Sequence, residues 1–130
     1  MAAGGPESRS RRGHGRRLTM VPRVISSALL GELSDRFKAL GEPARLQLLA
    51  ALRSGEQSVS DLVAITGLGQ ANVSKHLQQL CAAGFVSRRK EGTFAYYMLS
   101  DENVFQLCDL MCGRIEAEQR ERRTALKLMR

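Results

Sequence analysis

Apolar and polar positions recur along the chain with two different periods, and the change of period indicates the secondary structure. Apolar residues recur every three or four positions in five segments, which is the spacing of amphipathic helices that bury one face. Two further segments are strand-like and are separated by a short tip that contains glycine. The predicted helices are 25–40, 43–53, 58–66, 70–83 and 101–123, and the predicted strands are 85–90 and 94–99.

Residues with strong preferences for helix ends support these boundaries. Pro43 suits the first turn of the second helix, because its missing N–H would be unpaired there in any case. Ser58 and Asp61 have the spacing of a capping box, although Glu or Gln is the usual partner of the Ser. Gly67 and Gly84 follow the third and fourth helices, where glycine readily ends a helix. A tight turn therefore joins the third helix to the fourth.

The order of the elements predicts a mainly α fold with a small β-hairpin, the winged helix-turn-helix (ααααββα). Hydrophobic residues are 43% of the 130 residues, enough for one core, but there is no Trp and aromatic residues are only 5%. Such a core is aliphatic and small, and small domains gain buried surface by dimerising. We therefore expect a homodimer.

The two ends of the chain differ in composition from its centre. Residues 1–19 are rich in Gly, Ser and Arg, and we expect them to form a disordered basic tail. Residues 20–115 are expected to form the winged helix-turn-helix and dimerisation domain, and residues 116–130 a charged helical extension or tail. Met20 directly follows the basic tail, and this change in composition favours Met20 as the native start.

Charge and cysteine content narrow the class of protein. Lys and Arg number 20 against 13 Asp and Glu, and the net charge of +7 favours a polyanionic partner, although part of it lies in the basic tail. No run of 18 apolar residues and no apolar secretory signal is present, so neither a membrane span nor secretion is expected. Three cysteines do not suggest a disulfide framework and are typical of a reducing, cytoplasmic setting.

The polar side of the fourth helix carries residue types that recognise DNA bases. Gln and Asn can each form two hydrogen bonds with adenine, and Lys can reach guanine or a phosphate. A polar helix face is more often only a solvated surface. Here the preceding helix and turn and the following hairpin favour DNA, and bases are usually contacted from the N-terminal part of such a helix. The predicted DNA-contacting residues of this helix are Gln70, Asn72, Ser74, Lys75 and His76.

The hairpin carries a second set of predicted DNA contacts. Arg88, Arg89 and Lys90 stand in a row before the tip, and Thr93 lies at the tip itself. Cations on a short hairpin can neutralise phosphates, which makes DNA binding steeply dependent on salt. The same charges also protect an exposed edge strand from pairing with other chains, and the two roles are compatible.

Three stretches together resemble the ArsR/SmtB family of transcriptional repressors: FKALGEPARLQLLAAL (37–52), VSDLVAITGLGQANVSKHLQQLCAAGFV (59–86) and RRKEGTFAYYML (88–99). They have the order and spacing of the family over most of residues 33–112. The resemblance implies a homodimer formed through the first and last helices, an inverted-repeat operator in double-stranded DNA, and release from the operator when an inducer binds. Gly69 stands where the family commonly has Ser, so no side chain is expected to cap the fourth helix.

The metal sites that the resemblance implies are missing from their usual places. The family's thiol-rich site would need cysteines in the third helix, and residues 58–65 contain none. The family's zinc site would need His and Glu in the last helix, where this chain retains Asp101 but has Asn103, Arg114 and Ala117. A conventional zinc site is therefore not expected.

Cys108 and Cys112 remain as candidates for sensing a signal. Their spacing of four places both thiols on one face of the last helix. If two last helices pair, the thiolates could bind a soft metal or metalloid ion, and redox or persulfide chemistry is an alternative. Both positions also fit small apolar residues that merely pack, and the sequence leaves these alternatives open. Cys81 is expected to pack, and no other cofactor is predicted.

The sequence does not indicate an enzyme. No phosphate-binding loop or pair of catalytic acids stands out, and neither His14 nor His76 can be placed beside a cysteine. The favoured hypothesis is a dimeric, sequence-specific transcriptional repressor. The alternative is a non-sensing or architectural DNA-binding protein whose cysteines are structural.

Overall fold

The computed structural model describes residues 25–129, which form five helices and three strands. The predicted basic tail and the predicted start at Met20 lie outside the described residues. The elements are α1 (Ser27–Leu40), α2 (Pro43–Leu52), β1 (Gln57–Ser58), α3 (Val59–Thr66), α4 (Gln70–Ala82), β2 (Val86–Glu91), β3 (Phe94–Leu99) and α5 (Asn103–Leu128). This order confirms the predicted winged helix-turn-helix.

The chain divides into two units, Met1–Leu33 and Ser34–Arg130. The described part of the first unit holds the start of α1. There the Ser26 hydroxyl accepts a hydrogen bond from the backbone N–H of Leu29 at 3.1 Å, which satisfies one of the free donors at the helix end. The leucines of this part of α1 are exposed.

The ends of α2, α3 and α4 lie within one residue of those that the sequence predicts. At α3 the Ser58 hydroxyl accepts from the N–H of Asp61 at 3.1 Å, and the Asp61 carboxylate accepts from the N–H of Ser58 at 3.0 Å. Gly67 ends α3 with a φ of 76°, a conformation that a Cβ would strain. Gly69 begins α4 and contributes no side-chain cap, as expected. The turn between α3 and α4 is therefore set by local sequence.

The sheet differs from the prediction by one strand. Its order is β1-β3-β2, all antiparallel, so the predicted hairpin gains a third, two-residue strand. Gln57 of β1 pairs with Tyr97 of β3. A strand of two residues is too short to show a period of two in the sequence, which is why it was not predicted. Its consequence is that the base of the wing is tied to the start of α3.

The core lies where α2, α3 and α4 meet the sheet and the start of α5. Among the described residues, the side chains with the least exposure are all aliphatic, and they come from the three helices before the wing. Tyr97, Val104 and Phe105 complete the cluster, as expected of a core with few aromatic residues. The fully buried side chains are Leu48, Leu49, Leu52, Leu62, Val73, Leu77 and Leu80.

Helix α5 extends well beyond its contact with the core. Its first turn is anchored by buried Val104 and Phe105, and the guanidinium of Arg53 lies 4.4 Å from the centre of the Phe105 ring. The helix continues without a break to Leu128, five residues past its predicted end. At 1.5 Å per residue it is roughly 39 Å long. No helix within residues 25–129 is both long and apolar enough to cross a membrane.

Candidate nucleic-acid interface

Helix α4 turns a polar surface outward because its apolar stripe is fully buried. Val73, Leu77 and Leu80 have no exposed surface and fix the rotation of the helix. Successive residues advance by about 100° around a helix. Lys75 therefore lies opposite the core, and the residues beside it form two flanks. Gln70, Asn72 and Lys75 are exposed, whereas Ser74 and His76 are half-buried.

One flank of α4 is bound to the preceding helices through Arg45. The Arg45 guanidinium approaches His76 Nδ1 at 3.3 Å and donates to Gln79 Oε1 at 2.5 Å. It also donates to the carbonyl of Ala39 at 2.6 Å and to that of Lys38 at 3.1 Å, at the end of α1. These bonds connect the C-terminal end of α1 with α2 and α4. His76 therefore has a positioning role, which makes it a weaker candidate for contact with bases.

The other flank of α4 faces the sheet across an open cleft. Ser74, Gln78 and Cys81 lie on this flank, since they are spaced by four and three residues. Arg88 of β2 and Tyr97 of β3 form the opposite wall, and the cleft has a volume of about 400 Å³. Burial raises the pKa of the Cys81 thiol, and the charge of Arg88 offsets part of this effect. The thiol is therefore neutral at physiological pH.

The three cations of the wing lie on opposite faces of β2. Side chains alternate along a strand, so Arg88 and Lys90 share one face and Arg89 has the other. Arg89 donates to both carboxylate oxygens of Glu56, at 2.9 and 2.8 Å, and to Glu91 at 2.8 Å. Its guanidinium also lies 5.0 Å from the centre of the Tyr96 ring. Arg88 and Lys90 are thus the wing cations with a common exposed face, and a phosphate contact by Arg89 stays a prediction.

The ion pair at the base of the wing changes how its members titrate. The hydrogen bond from Arg89 lowers the pKa of Glu56, and the two carboxylates raise the pKa of Arg89. Because a lowered carboxylate pKa stabilises the fold above that pKa, the contribution persists at neutral pH and is lost as the pH falls through it. The pair is exposed, so its effect on stability is small. Thr93 lies beyond it, exposed at the wing tip.

The two cysteines of α5 have different surroundings. Cys108 is half-buried and packs against the core, whereas Cys112 is exposed. Burial raises the pKa of the Cys108 thiol, and electrostatic interactions with the neighbouring Cys112 and Asp109 raise it further. Within residues 25–129 of one protomer, no group of three or more His, Cys, Asp or Glu is arranged to hold a metal ion. The described part of one protomer therefore contains no closed metal site.

The sequence predicted which elements carry the residues of this surface, but not which side chains these residues contact. It placed Gln70, Asn72, Ser74, Lys75 and His76 on one helix and Arg88, Arg89, Lys90 and Thr93 on the wing, and the structure has them there. It did not predict the role of Arg45, because this residue lies 31 positions from His76. Gln78 is recognisable in the sequence as a polar position of the fourth helix, but no feature of the sequence distinguishes it from an ordinary solvent-exposed residue.

Comparison with known proteins gives an independent description of the chain. The family model described as "Bacterial regulatory protein, arsR family" matches residues 42–88, from the start of α2 to β2. An HTH-type transcriptional regulator of Mycobacterium tuberculosis is 38% identical over 85 residues. That match covers 65% of this chain but only 38% of the regulator, so this chain spans well under half of the relative's length.

Two further proteins are similar over most of their own length. The arsenical resistance operon repressor of Bacillus subtilis is 37% identical over 79 residues, which are 60% of this chain and 75% of the repressor. A homodimeric winged helix-turn-helix DNA-binding domain from Mycobacterium bovis, solved by NMR, superposes with a TM-score of 0.64 at 34% identity. The superposition covers 73% of this chain and 88% of that domain.

Proposed function

The chain belongs to the ArsR family of bacterial regulatory proteins, and from this premise we propose that it is a dimeric transcriptional repressor of an inverted-repeat operator. The observation that carries the proposal is the polar outward surface of α4, fixed by the buried Val73, Leu77 and Leu80, beside the cationic face of the wing. A DNA-binding regulator is not an enzyme, and a role on DNA implies a cytoplasmic protein.

The residue types and their exposure indicate which side chains would contact bases and which would contact phosphates. Gln70, Asn72 and Lys75 are exposed near the N-terminal end of α4 and would contact base edges in the major groove. Arg88, Lys90 and Thr93 would contact phosphates from the wing, and Ser74 lies between the two groups. His76 and Arg89 would chiefly position these groups, because each is held by other side chains.

The proposed dimer rests on apolar side chains that the described residues leave exposed. On α5, Leu110 is 76% exposed and Met111 61% exposed, with Leu107 and Ile115 on the same helix. On the first unit, Leu29, Leu30 and Leu33 are exposed as well. Covering these exposed apolar side chains in an interface would stabilise a dimer. The M. bovis domain is a homodimer. We propose that α1 and α5 form the interface with a second copy.

The test is a hydroxyl-radical footprint on promoter DNA. Two protected half-sites related by a dyad and about one helical turn apart are expected, because each recognition helix of a dimer enters one major groove. A matched fragment with one half-site scrambled should lose the footprint at the same protein concentration. Uniform protection of any sequence would contradict the proposal.

We propose Cys108 and Cys112 as the thiols through which an inducer acts. Two thiols per protomer do not close a metal site, so a soft metal or metalloid ion would need thiolates from both copies. The relative from B. subtilis is named for arsenical resistance, which makes arsenite the first probe. The raised pKa of Cys108 predicts that release becomes faster as the pH rises toward that pKa, since thiolate is the reactive form.

Replacing Cys108 and Cys112 together with Ser is expected to abolish release from the operator by arsenite. Release is measured by fluorescence anisotropy of labelled operator DNA, with methylating, oxidising and persulfidating reagents as further arms. Cys81→Ser is the matched control, because that thiol lies on α4 and not on α5. An unchanged response of the double variant to every reagent would show that the two cysteines only pack.

A further inference from the structure

Most of the side chains that line the cleft between α4 and the sheet can donate hydrogen bonds. Ser74 and Gln78 contribute a hydroxyl and an amide from the helix, and Arg88 contributes a guanidinium from β2. None of the carboxylates of residues 25–129 lines the cleft, and the raised pKa of Cys81 keeps its thiol uncharged. Within residues 25–129, Arg88 forms no salt bridge, in contrast to its neighbour Arg89. The cleft therefore has a net positive character.

Tyr97 adds an independent indication that the cleft receives a ligand. As a residue Tyr97 is 7% exposed, and it lines the cleft. Its hydroxyl takes part in none of the side-chain hydrogen bonds formed among residues 25–129. The hydroxyl of a largely buried tyrosine usually has a hydrogen-bond partner. Among the described residues, the hydroxyl is therefore available to donate to water or to an oxygen of a ligand in the cleft.

These groups together match the oxygen atoms of a phosphate. A guanidinium binds phosphate through parallel N–H bonds, and neutral O–H and N–H donors complete its coordination. The volume of about 400 Å³ exceeds that of one phosphate and leaves room for part of a sugar-phosphate chain. Free inorganic phosphate and the backbone of a nucleic acid share this chemistry, and position decides between them.

We propose that the cleft binds one phosphate of the DNA strand that separates the groove entered by α4 from the groove reached by the wing. The inference rests on the proposed function, since it requires α4 in the major groove. A strand between two neighbouring grooves must then pass between the helix and the hairpin, where the cleft lies. Gln78 and Tyr97 are thereby assigned as backbone-contacting residues, and they fix the register of α4 on the duplex.

A neutral methylphosphonate, placed at one backbone position at a time in operator DNA, tests the assignment. In the unmodified protein, one position per half-site is expected to weaken binding about tenfold, the loss of a charge-assisted contact. The same position should cost Gln78→Ala and Tyr97→Phe less than threefold. Gln119→Ala, an exposed Gln on α5, is the matched control and should keep the full tenfold penalty. Thermal unfolding checks that each variant is folded.

The outcomes separate this inference from the function on which it rests. If every modified position costs the variants as much as the unmodified protein while the dyad footprint persists, the phosphate assignment is wrong and the repressor proposal stands. If inorganic phosphate alone gives saturable NMR shifts at Ser74 and Arg88 and no backbone position is coupled to Gln78, the cleft binds a free anion and the DNA assignment is overturned. Absence of any dyad footprint overturns both.

Discussion

Replacing Asn72 and Lys75 together with Ala is expected to abolish discrimination between operator and random DNA. Both side chains are exposed near the start of α4, and neither is needed by the core. Each good contact with a base edge contributes about 1–3 kcal/mol of discrimination, so the loss should be about 10²- to 10⁴-fold in the ratio of the two affinities. The measurement is a competition titration of labelled operator against a scrambled duplex.

The matched control replaces the same residue types on α5, with Asn103→Ala and Lys127→Ala in one protein. It should retain the wild-type ratio of affinities, and both double variants should keep their dimeric mass and helix content. Although His76 stands beside Lys75 in the sequence, it is not included, because Arg45 holds it at 3.3 Å and its loss would also loosen α4. Retention of sequence discrimination by the first variant would refute the assignment of α4 as the recognition helix.

Replacing Arg88 and Lys90 together with Ala is expected to weaken binding to operator and random DNA alike. Both cations lie on one face of β2, and phosphate contacts carry no sequence information. Each protomer of the dimer loses two phosphate contacts, so four are lost in all. The slope of log K against log salt should then fall by about four units, and the affinity by about 10²- to 10⁴-fold at low salt. The measurement is the affinity for both duplexes over a series of salt concentrations.

The comparison with Arg89 makes this prediction specific. Arg89→Gln and Glu56→Gln are introduced together, which removes the ion pair and leaves the net charge unchanged. Because Arg89 is bound by two carboxylates, this variant should change the salt slope much less than Arg88→Gln does by itself. An equal change in slope would show that Arg89 contacts phosphate and that the two faces of the wing are not distinct.

Local sequence accounts for most of the secondary structure. Pro43, the Ser58–Asp61 capping box and Gly67 act within one or two turns of their own position, so their effects are visible without the fold. The spacing of Val73, Leu77 and Leu80 predicts which side of α4 is buried, and thus which side carries the polar residues. The helix-turn-helix and the wing were predictable for this reason.

Contacts between distant residues account for what was not predicted. The strand β1 exists because Gln57 meets Tyr97 across the sheet. The position of Arg45 is likewise settled by partners on α1 and α4.

The sequence by itself determined the fold class, the recognition helix and the cationic wing, because helix caps, periodic apolar positions and runs of charge are local properties. Tertiary structure alone decided which of these polar groups are available to a ligand. It binds Arg89 to Glu56 and His76 to Arg45, and it brings Gln78, Arg88 and Tyr97 to one cleft. The physical reason is that hydrogen bonds and ion pairs between distant residues form only after packing has brought their elements together.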